Sequence, residues 1–338
     1  MSSLDPPRSA LADIARQYRA AGLSILPIRA DGSKAPAVRE WLSFQSIIAS
    51  DALIDQWFPS GSTLGIAVIA GKVSYWLEIL DFDSVEVYRE FIQAAEASGI
   101  GALVERLRAG CEEASPLGMH LPYYCTEIAG NKKLASRPLS AEERVNGQRE
   151  KAVIETRGEG GYVVVAPSCG TVHHSGKPYV LLQGSWLTIA TITPEERATL
   201  WQLCRTFDQM PPRPEVDATR SPRDAPGTRP GDLFAAATSW ADILEPAGWS
   251  WVYRRGEVDY WRRPGKDVGI SASTNYAGSD YFYCFSSSTP FDTTHGYGKY
   301  SVYGLLHHDG DFHQAADALM RKGFFLRSAP PPPPEPGQ

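Results

Sequence analysis

The sequence predicts two folded domains of mixed helix and strand, and three observations carry that expectation. Strand-like and helix-like segments are interleaved over residues 8–208, which indicates an α/β or α+β domain. Residues 209–231 contain the run PPRPEVDATRSPRDAPGTRPG, whose six prolines and near absence of apolar side chains read as an interdomain linker. An aromatic-rich stretch follows over 232–327, ahead of a polyproline tail at 328–338. With 338 residues, 43% hydrophobic and 21% charged, the chain has a globular composition and is long enough for about two cores at roughly 150 residues per domain.

The first helix is expected over 9–21, where Leu11, Ile14, Ala15 and Tyr18 share one face and Gly22 ends it. Short apolar runs bounded by turn residues predict strands at 23–28, 64–69, 76–80, 120–125, 152–155 and 162–166. Helices are expected at 51–57, 85–97 and 194–207, the last opening on Thr193 with Glu196 three residues on, a capping-box spacing. In the second part the pattern predicts a short helix at 240–244, strands at 249–254, 259–262 and 281–286, and closing helices near 300–308 and 311–322. The tail is expected to form an extended polyproline spacer.

Composition narrows the function. The 33 Lys+Arg against 39 Asp+Glu give a net charge of −6, which excludes a polyanion binder acting through bulk charge; a nucleic-acid partner requires a local basic patch. Five cysteines (Cys111, Cys125, Cys169, Cys204, Cys284) form no C-x-x-C pair, so neither a disulfide framework nor a zinc ribbon is indicated, and the reducing cytoplasm is the expected compartment. No apolar run approaches the roughly 18 residues of a membrane span. The start MSSLDPPRSA lacks the basic and apolar regions of a signal peptide, and no membrane partner is expected.

The sharpest local feature is Leu77-Glu78-Ile79-Leu80-Asp81-Phe82-Asp83-Ser84, an apolar strand ending in two acids one residue apart. Alternation points Asp81 and Asp83 to one face, and two converging carboxylates suit a hard divalent cation such as Mg²⁺ or Mn²⁺. The competing assignment is a strand end in which Asp83 or Ser84 caps a helix beginning near Val85. Glu155 ends a later strand and leads into the glycine-rich turn Arg157-Gly158-Glu159-Gly160-Gly161. Three acids from two strands suit two metals about 4 Å apart, the arrangement used for in-line displacement at phosphorus. Arg157 is expected on the face opposite Glu155 while the strand persists, and reaches a phosphate once the turn begins. The alternative is a surface hairpin whose glycines only supply positive φ. His120 enters an apolar strand from a small-residue turn, either as a satisfied structural residue or as a donor to a nucleotide phosphate. His173 and His174 have no carboxylate or cysteine at metal spacing and read as a loop.

The order of these features is more specific than any one of them. Ala10-Leu11, Tyr18, Gly22, Pro27, Lys34, Pro36 and Trp41 are followed by 65–71 and LDFDS at 80–84. Next come Ser115, Gly118 and His120, then IETRGEGGYVVVAPS at 154–168 with His173, Gly176 and Tyr179 trailing. This succession, over about residues 8–208, resembles the bifunctional primase-polymerase domain of the archaeo-eukaryotic primase superfamily. The resemblance implies an α+β fold with an RRM-like catalytic core and a flanking α/β subdomain. It implies template-directed nucleotidyl transfer that makes and extends primers on single-stranded DNA in phage, plasmid or mobile-element replication. It implies Asp81, Asp83 and Glu155 as ligands of two divalent metals, Mg²⁺ or Mn²⁺, and His120 as the triphosphate contact. Ser115, Lys34 and Arg157 are implied as further nucleotide-binding residues. NTPs or dNTPs and a DNA template are the implied partners, with a replicative helicase in cis or in trans.

In the second part, residues 254–266 hold five basic residues and two acids. Arg262, Arg263 and Lys266 are expected to meet phosphates, and Trp261, with Tyr281, Phe282, Tyr283 and Phe285, to stack on unpaired bases. The alternative is a small domain whose aromatics form its core. The order WRRPGK, SAST, YFYCFSS is faintly similar to the zinc-ribbon template-recognition module of bacterial primases. Only Cys284 remains near a ligand position there, so no zinc is expected. Two rivals to the polymerase are a non-catalytic replication-origin or single-strand-binding module and a metal-dependent nuclease. Asp81, Asp83, Glu155 and His120 together favour the polymerase.

Overall fold

The structure is a computed structural model that describes residues 10–144, 147–211 and 229–325. Most of the expected linker and all of the polyproline tail lie outside the described residues. By internal packing the chain divides into two compact units, Met1–Met210 and Pro211–Gln338. None of the described helices is long and apolar enough to cross a membrane.

The first unit opens with α1 (Ala10–Ala20), which Gly22 ends by taking a φ of +85° that other residues adopt with strain. There follow β1 (Ser24–Ile28), α2 (Asp51–Trp57), β2 (Gly65–Ile69), β3 (Leu77–Phe82), α3 (Val85–Ala97), α4 (Gly101–Gly110), β4 (Cys111–Ala114) and β5 (Met119–Tyr124). The unit continues with β6 (Lys132–Pro138), β7 (Glu150–Arg157), β8 (Tyr162–Val165), β9 (Val180–Gly184) and α5 (Pro194–Arg205). Ser50, Ser84 and Thr193 cap α2, α3 and α5 by accepting from the backbone N–H of Leu53, Val87 and Glu196, and Glu196 returns the bond at Thr193 to complete the capping box.

The strands form two antiparallel sheets, one in the order β1-β2-β8 and one in the order β6-β7-β3-β5-β4-β9. Helices and antiparallel sheets together make an α+β fold. Alternation along β3 decides what each face does. Leu77 and Ile79 point into the core that holds Ile25, Val68 and Val163 of the three-stranded sheet and the indole of Trp186. Phe82 packs on Tyr88 and Phe91 of α3 from the other face. On that same face Glu78, fully buried, receives Arg197 of α5 through Nε at 2.5 Å and Nη2 at 2.8 Å. Strand β3 is thereby held from both sides, each buried Leu, Ile or Phe contributing about 1.5–3 kcal/mol.

The second unit contains α6 (Pro230–Ala237), α7 (Trp240–Leu244), β10 (Ser250–Arg255), β11 (Val258–Arg262), β12 (Ala272–Thr274), β13 (Phe282–Cys284), α8 (Lys299–His307) and α9 (Phe312–Arg321). Its strands form an antiparallel sheet in the order β10-β11-β12-β13. Trp261 is 2% exposed, sits in a core with Trp240, Trp249, Phe282 and Phe291, and donates its Nε1 to Thr274 Oγ1 at 3.0 Å. The expectation that Trp261 stacks on a base is corrected here: the indole is buried in the domain core and its N–H is already bonded there. Phe282 is likewise fully buried.

Candidate active site

The site follows from the register of the six-stranded sheet. His120 on β5 lies opposite Asp81 on β3, and Asp81 lies opposite Glu155 on β7. Glu113 on β4 lies opposite His120, and Lys133 on β6 opposite Glu155. Directly opposed residues share a face, so Glu113, His120, Asp81, Glu155 and Lys133 form one polar row across five strands. Beyond it the chain leaves β3 through Asp83, whose N–H still donates to Val153. Ser84 takes the capping role, which leaves the Asp83 carboxylate to the cavity.

One cavity of about 150 Å³ is lined by Asp81, Asp83, Ser115, His120, Glu155, Arg157 and Lys34, and also by His173 and Tyr179. A neighbouring cavity of about 280 Å³ shares Lys34, Asp81, His120, Arg157 and Tyr179 and is walled by Trp41, Asn131 and Tyr162. The rings of Trp41 and Tyr162 meet edge to face at 5.4 Å. Two features bring the surrounding loops in. The turn from Ser115 to Gly118 presses on the end of β3, where a Cβ at Gly118 would stand 1.7 Å from the Phe82 carbonyl oxygen, so only glycine fits. The loop carrying Lys34 is bridged through Ser33 to His173, and the Lys34 carbonyl accepts from the Tyr162 hydroxyl at 3.1 Å.

The three carboxylates in the cavity are paired. Arg157 Nη2 bonds Glu155 Oε1 and stands 3.4 Å from Asp81 Oδ2, while Lys151 Nζ bonds Asp83 Oδ2 at 2.6 Å. Arg157 was expected on the opposite face from Glu155; the strand runs on to Arg157, and residues two apart on a strand share a face. Its Nε is buried without a hydrogen-bond partner among the described residues. Burial pushes the Glu155 carboxyl up, against the pull of Arg157. His120 is 3% exposed, with Nδ1 at 2.9 Å from Glu113 Oε1 and Nε2 at 3.7 Å from Asp81 Oδ1. Burial opposes its charged form, but the Glu113 hydrogen bond and the charges of Asp81 and Glu113 outweigh it and raise its pKa. His173 moves the other way, lowered by burial and by Lys34 and His174. Its Nδ1 accepts from the Ser175 backbone N–H at 3.1 Å, which places the proton on Nε2.

Among the described residues, no three His, Cys, Asp or Glu side chains are arranged to hold a metal ion as they stand. The donor chemistry nevertheless fits a hard divalent cation: three carboxylates and no thiol, two from the end of β3 and one from the paired strand β7, line one cavity. Their present partners, Arg157 and Lys151, have side chains 32% and 43% exposed and can yield the carboxylates by rotating outward.

Every first-unit site residue singled out from the sequence therefore lines the same cavity. Glu113, His173, Tyr179 and Tyr162 were not singled out as site residues. Glu113 is brought opposite His120 by the hairpin that turns at Ser115 to Gly118. Tyr179 stacks on His120 at 6.0 Å. In the second unit, Arg262 Nε, Arg263 Nη1 and Lys266 Nζ each donate to a carbonyl of their own loop, at Gly269, Pro264 and Ile270. Burial pushes the Lys266 ammonium down to about 8. The half-exposed indole of this unit belongs to Trp251.

A comparison with curated proteins finds no match. The family described as bifunctional DNA primase/polymerase, N-terminal, matches residues 15–211, which is more than half of the chain and includes Lys34, Asp81, Asp83, Glu113, His120, Glu155, Arg157 and His173. By this match and by the order of motifs that runs through the cavity, the chain belongs to the bifunctional DNA primase/polymerase family.

Proposed function

We propose that the first unit joins nucleotides on a single-stranded DNA template by a two-metal mechanism, as a primase-polymerase of phage, plasmid or mobile-element replication. The observation that carries this is the polar row: a carboxylate pair beside a buried, carboxylate-held histidine, opening into a cavity whose far wall carries Lys34 and His173. In this reading the six-stranded sheet, with α3 and α5 on one face, is the RRM-like core.

Asp81, Asp83 and Glu155 would hold Mg²⁺ or Mn²⁺, which when bound lower the pKa of the attacking hydroxyl and offset charge on the transferred phosphoryl group. Arg157 and Lys151 exchange carboxylate for phosphate as the nucleotide enters, and the unpartnered Arg157 Nε gains an acceptor. His120 offers Nε2 to the triphosphate while Glu113 fixes its other nitrogen. Lys34, His173 and the Ser115 hydroxyl complete the phosphate contacts. Trp41 and Tyr162 offer ring surface to the base. A primer 3′-hydroxyl attacks the α-phosphorus, the bond to the bridging oxygen breaks, and pyrophosphate leaves. A nuclease would use the acids but leave Lys34, His120 and His173 without a triphosphate to hold.

The test is incubation of the full chain with homopolymer DNA templates, labelled NTPs or dNTPs, and Mg²⁺ or Mn²⁺. Incorporation of only the complementary nucleotide is expected. Template degradation without incorporation would identify a nuclease, and binding without either reaction a non-catalytic module.

A further inference from the structure

We propose that the β6–β7 hairpin is the track on which the DNA strand backbone lies as it passes the carboxylate cavity, an inference that rests on the proposed function. The hairpin is the outer edge of the six-stranded sheet, with β6 as its terminal strand. Between Lys132 and Lys151 the sequence carries six basic residues and three acids, a local excess of three positive charges in a chain of net charge −6. This is the local basic patch that the overall charge requires of a nucleic-acid binder.

Lysines on an edge strand ordinarily guard it against pairing with other chains, and that role alone would explain exposed cations. Their placement goes further. Lys133 continues the polar row directly from Glu155, and Lys151 touches Asp83. Arg137 lies opposite Lys151 on the same face. The basic strip thus starts at the cavity and runs outward from it along the sheet edge, where the template strand that pairs with the entering nucleotide can lie. Lys133, Arg137 and Lys151 are held by Glu150, Glu143 and Asp83. Arg144 and Arg149 are exposed and have no carboxylate within 4.0 Å among the described residues, so their charge is available to phosphate, whereas Lys132 lies opposite Thr156 and belongs to the other face. Contacts of this kind position a backbone without reading its sequence.

The experiment changes Arg144 and Arg149 together to Ala in the full chain and measures single-stranded DNA binding as a function of salt. Each lost phosphate contact lowers the slope of log affinity against log salt by about 0.7, so the slope is expected to fall by up to about 1.4, equally for different homopolymers. The template KM is expected to rise while the nucleotide KM stays unchanged. The charge-preserving pair Arg144→Lys and Arg149→Lys is expected to keep the wild-type slope. An unchanged slope in the alanine variant would overturn the proposal and leave the hairpin as a guarded sheet edge. Because the slope is read from binding alone, it decides the hairpin even in a preparation that synthesises nothing, which would count against the proposed function instead.

Discussion

Glu113 is a fully buried carboxylate that accepts from three donors: Trp186 Nε1 at 2.8 Å, the Ala166 backbone N–H at 2.7 Å and His120 Nδ1 at 2.9 Å. The first two anchor it in the core, so the third fixes the imidazole and leaves Nε2 facing the cavity. Glu113→Gln keeps the shape but exchanges charge for an amide. It is expected to raise the nucleotide KM severalfold with DNA affinity unchanged, as measured by steady-state kinetics and anisotropy. Equal effects on both would mean a general loss of packing. His120 titrates above the ordinary histidine value of about 6.5, so its contribution to stability is complete below that pH and is lost as pH rises through the raised value. Thermal unfolding without divalent ions is expected to show a fall in Tm across that window, flattened in His120→Gln. Asp81, Asp83, Glu155 and His120 were legible because each stands out chemically at a strand end or turn. Glu113 was not, since Cys111-Glu112-Glu113 reads as solvated acids, and only the fold supplies the indole, amide and imidazole that make its burial affordable.

Strand β3 joins the proposed reaction centre to stability, because Asp81 is placed by the same alternation that buries Glu78 on the opposite face. Arg197, whose side chain is 13% exposed, lies flat on Trp201 at 3.7 Å and pairs with Glu78, while Tyr123 donates to Glu78 at 2.5 Å. Arg197→Ala leaves that carboxylate buried without its cation and is expected to cost about 3–5 kcal/mol in urea unfolding, far more than an exposed pair. A loss below about 1 kcal/mol would show that water reaches Glu78. The elements visible in sequence had clear caps or apolar runs: 51–57 and 85–97 match α2 and α3, and Thr193 caps α5 as its spacing predicts. Those missed lacked such signals. Strand β6 reads KKLASRP, with register shifts between Lys133 and Ala135 and between Ala135 and Ser136 that break its alternation. Helix α4 begins after Ile100, which provides no side-chain cap. Strand β4 hides behind its two acids.

The molecule separates its chemistry from whatever the second unit adds, since every proposed metal and nucleotide ligand precedes Pro211. A fragment ending at Met210 is expected to extend a supplied primer at a rate comparable to the full chain, measured with a labelled primer-template. It is expected to start new strands poorly if Arg262, Arg263 and Lys266 hold the template. Equal initiation by both would remove the second unit from template engagement. That unit was legible as an aromatic-rich domain, but which aromatics face inward was not: Trp251 and Trp261 stand opposite each other on paired strands, one half-exposed and one buried. The central claim is that the carboxylates at the end of β3 are the reaction centre, and the variant that changes Asp81 and Asp83 both to Ala tests it most directly. These side chains are 22% and 36% exposed, and their pairs with Arg157 and Lys151 contribute little to stability, so the variant is expected to unfold at nearly the wild-type temperature. With that variant, primer synthesis on single-stranded DNA in Mg²⁺ or Mn²⁺ is expected to vanish. Synthesis by the folded double variant at the wild-type rate would contradict the account.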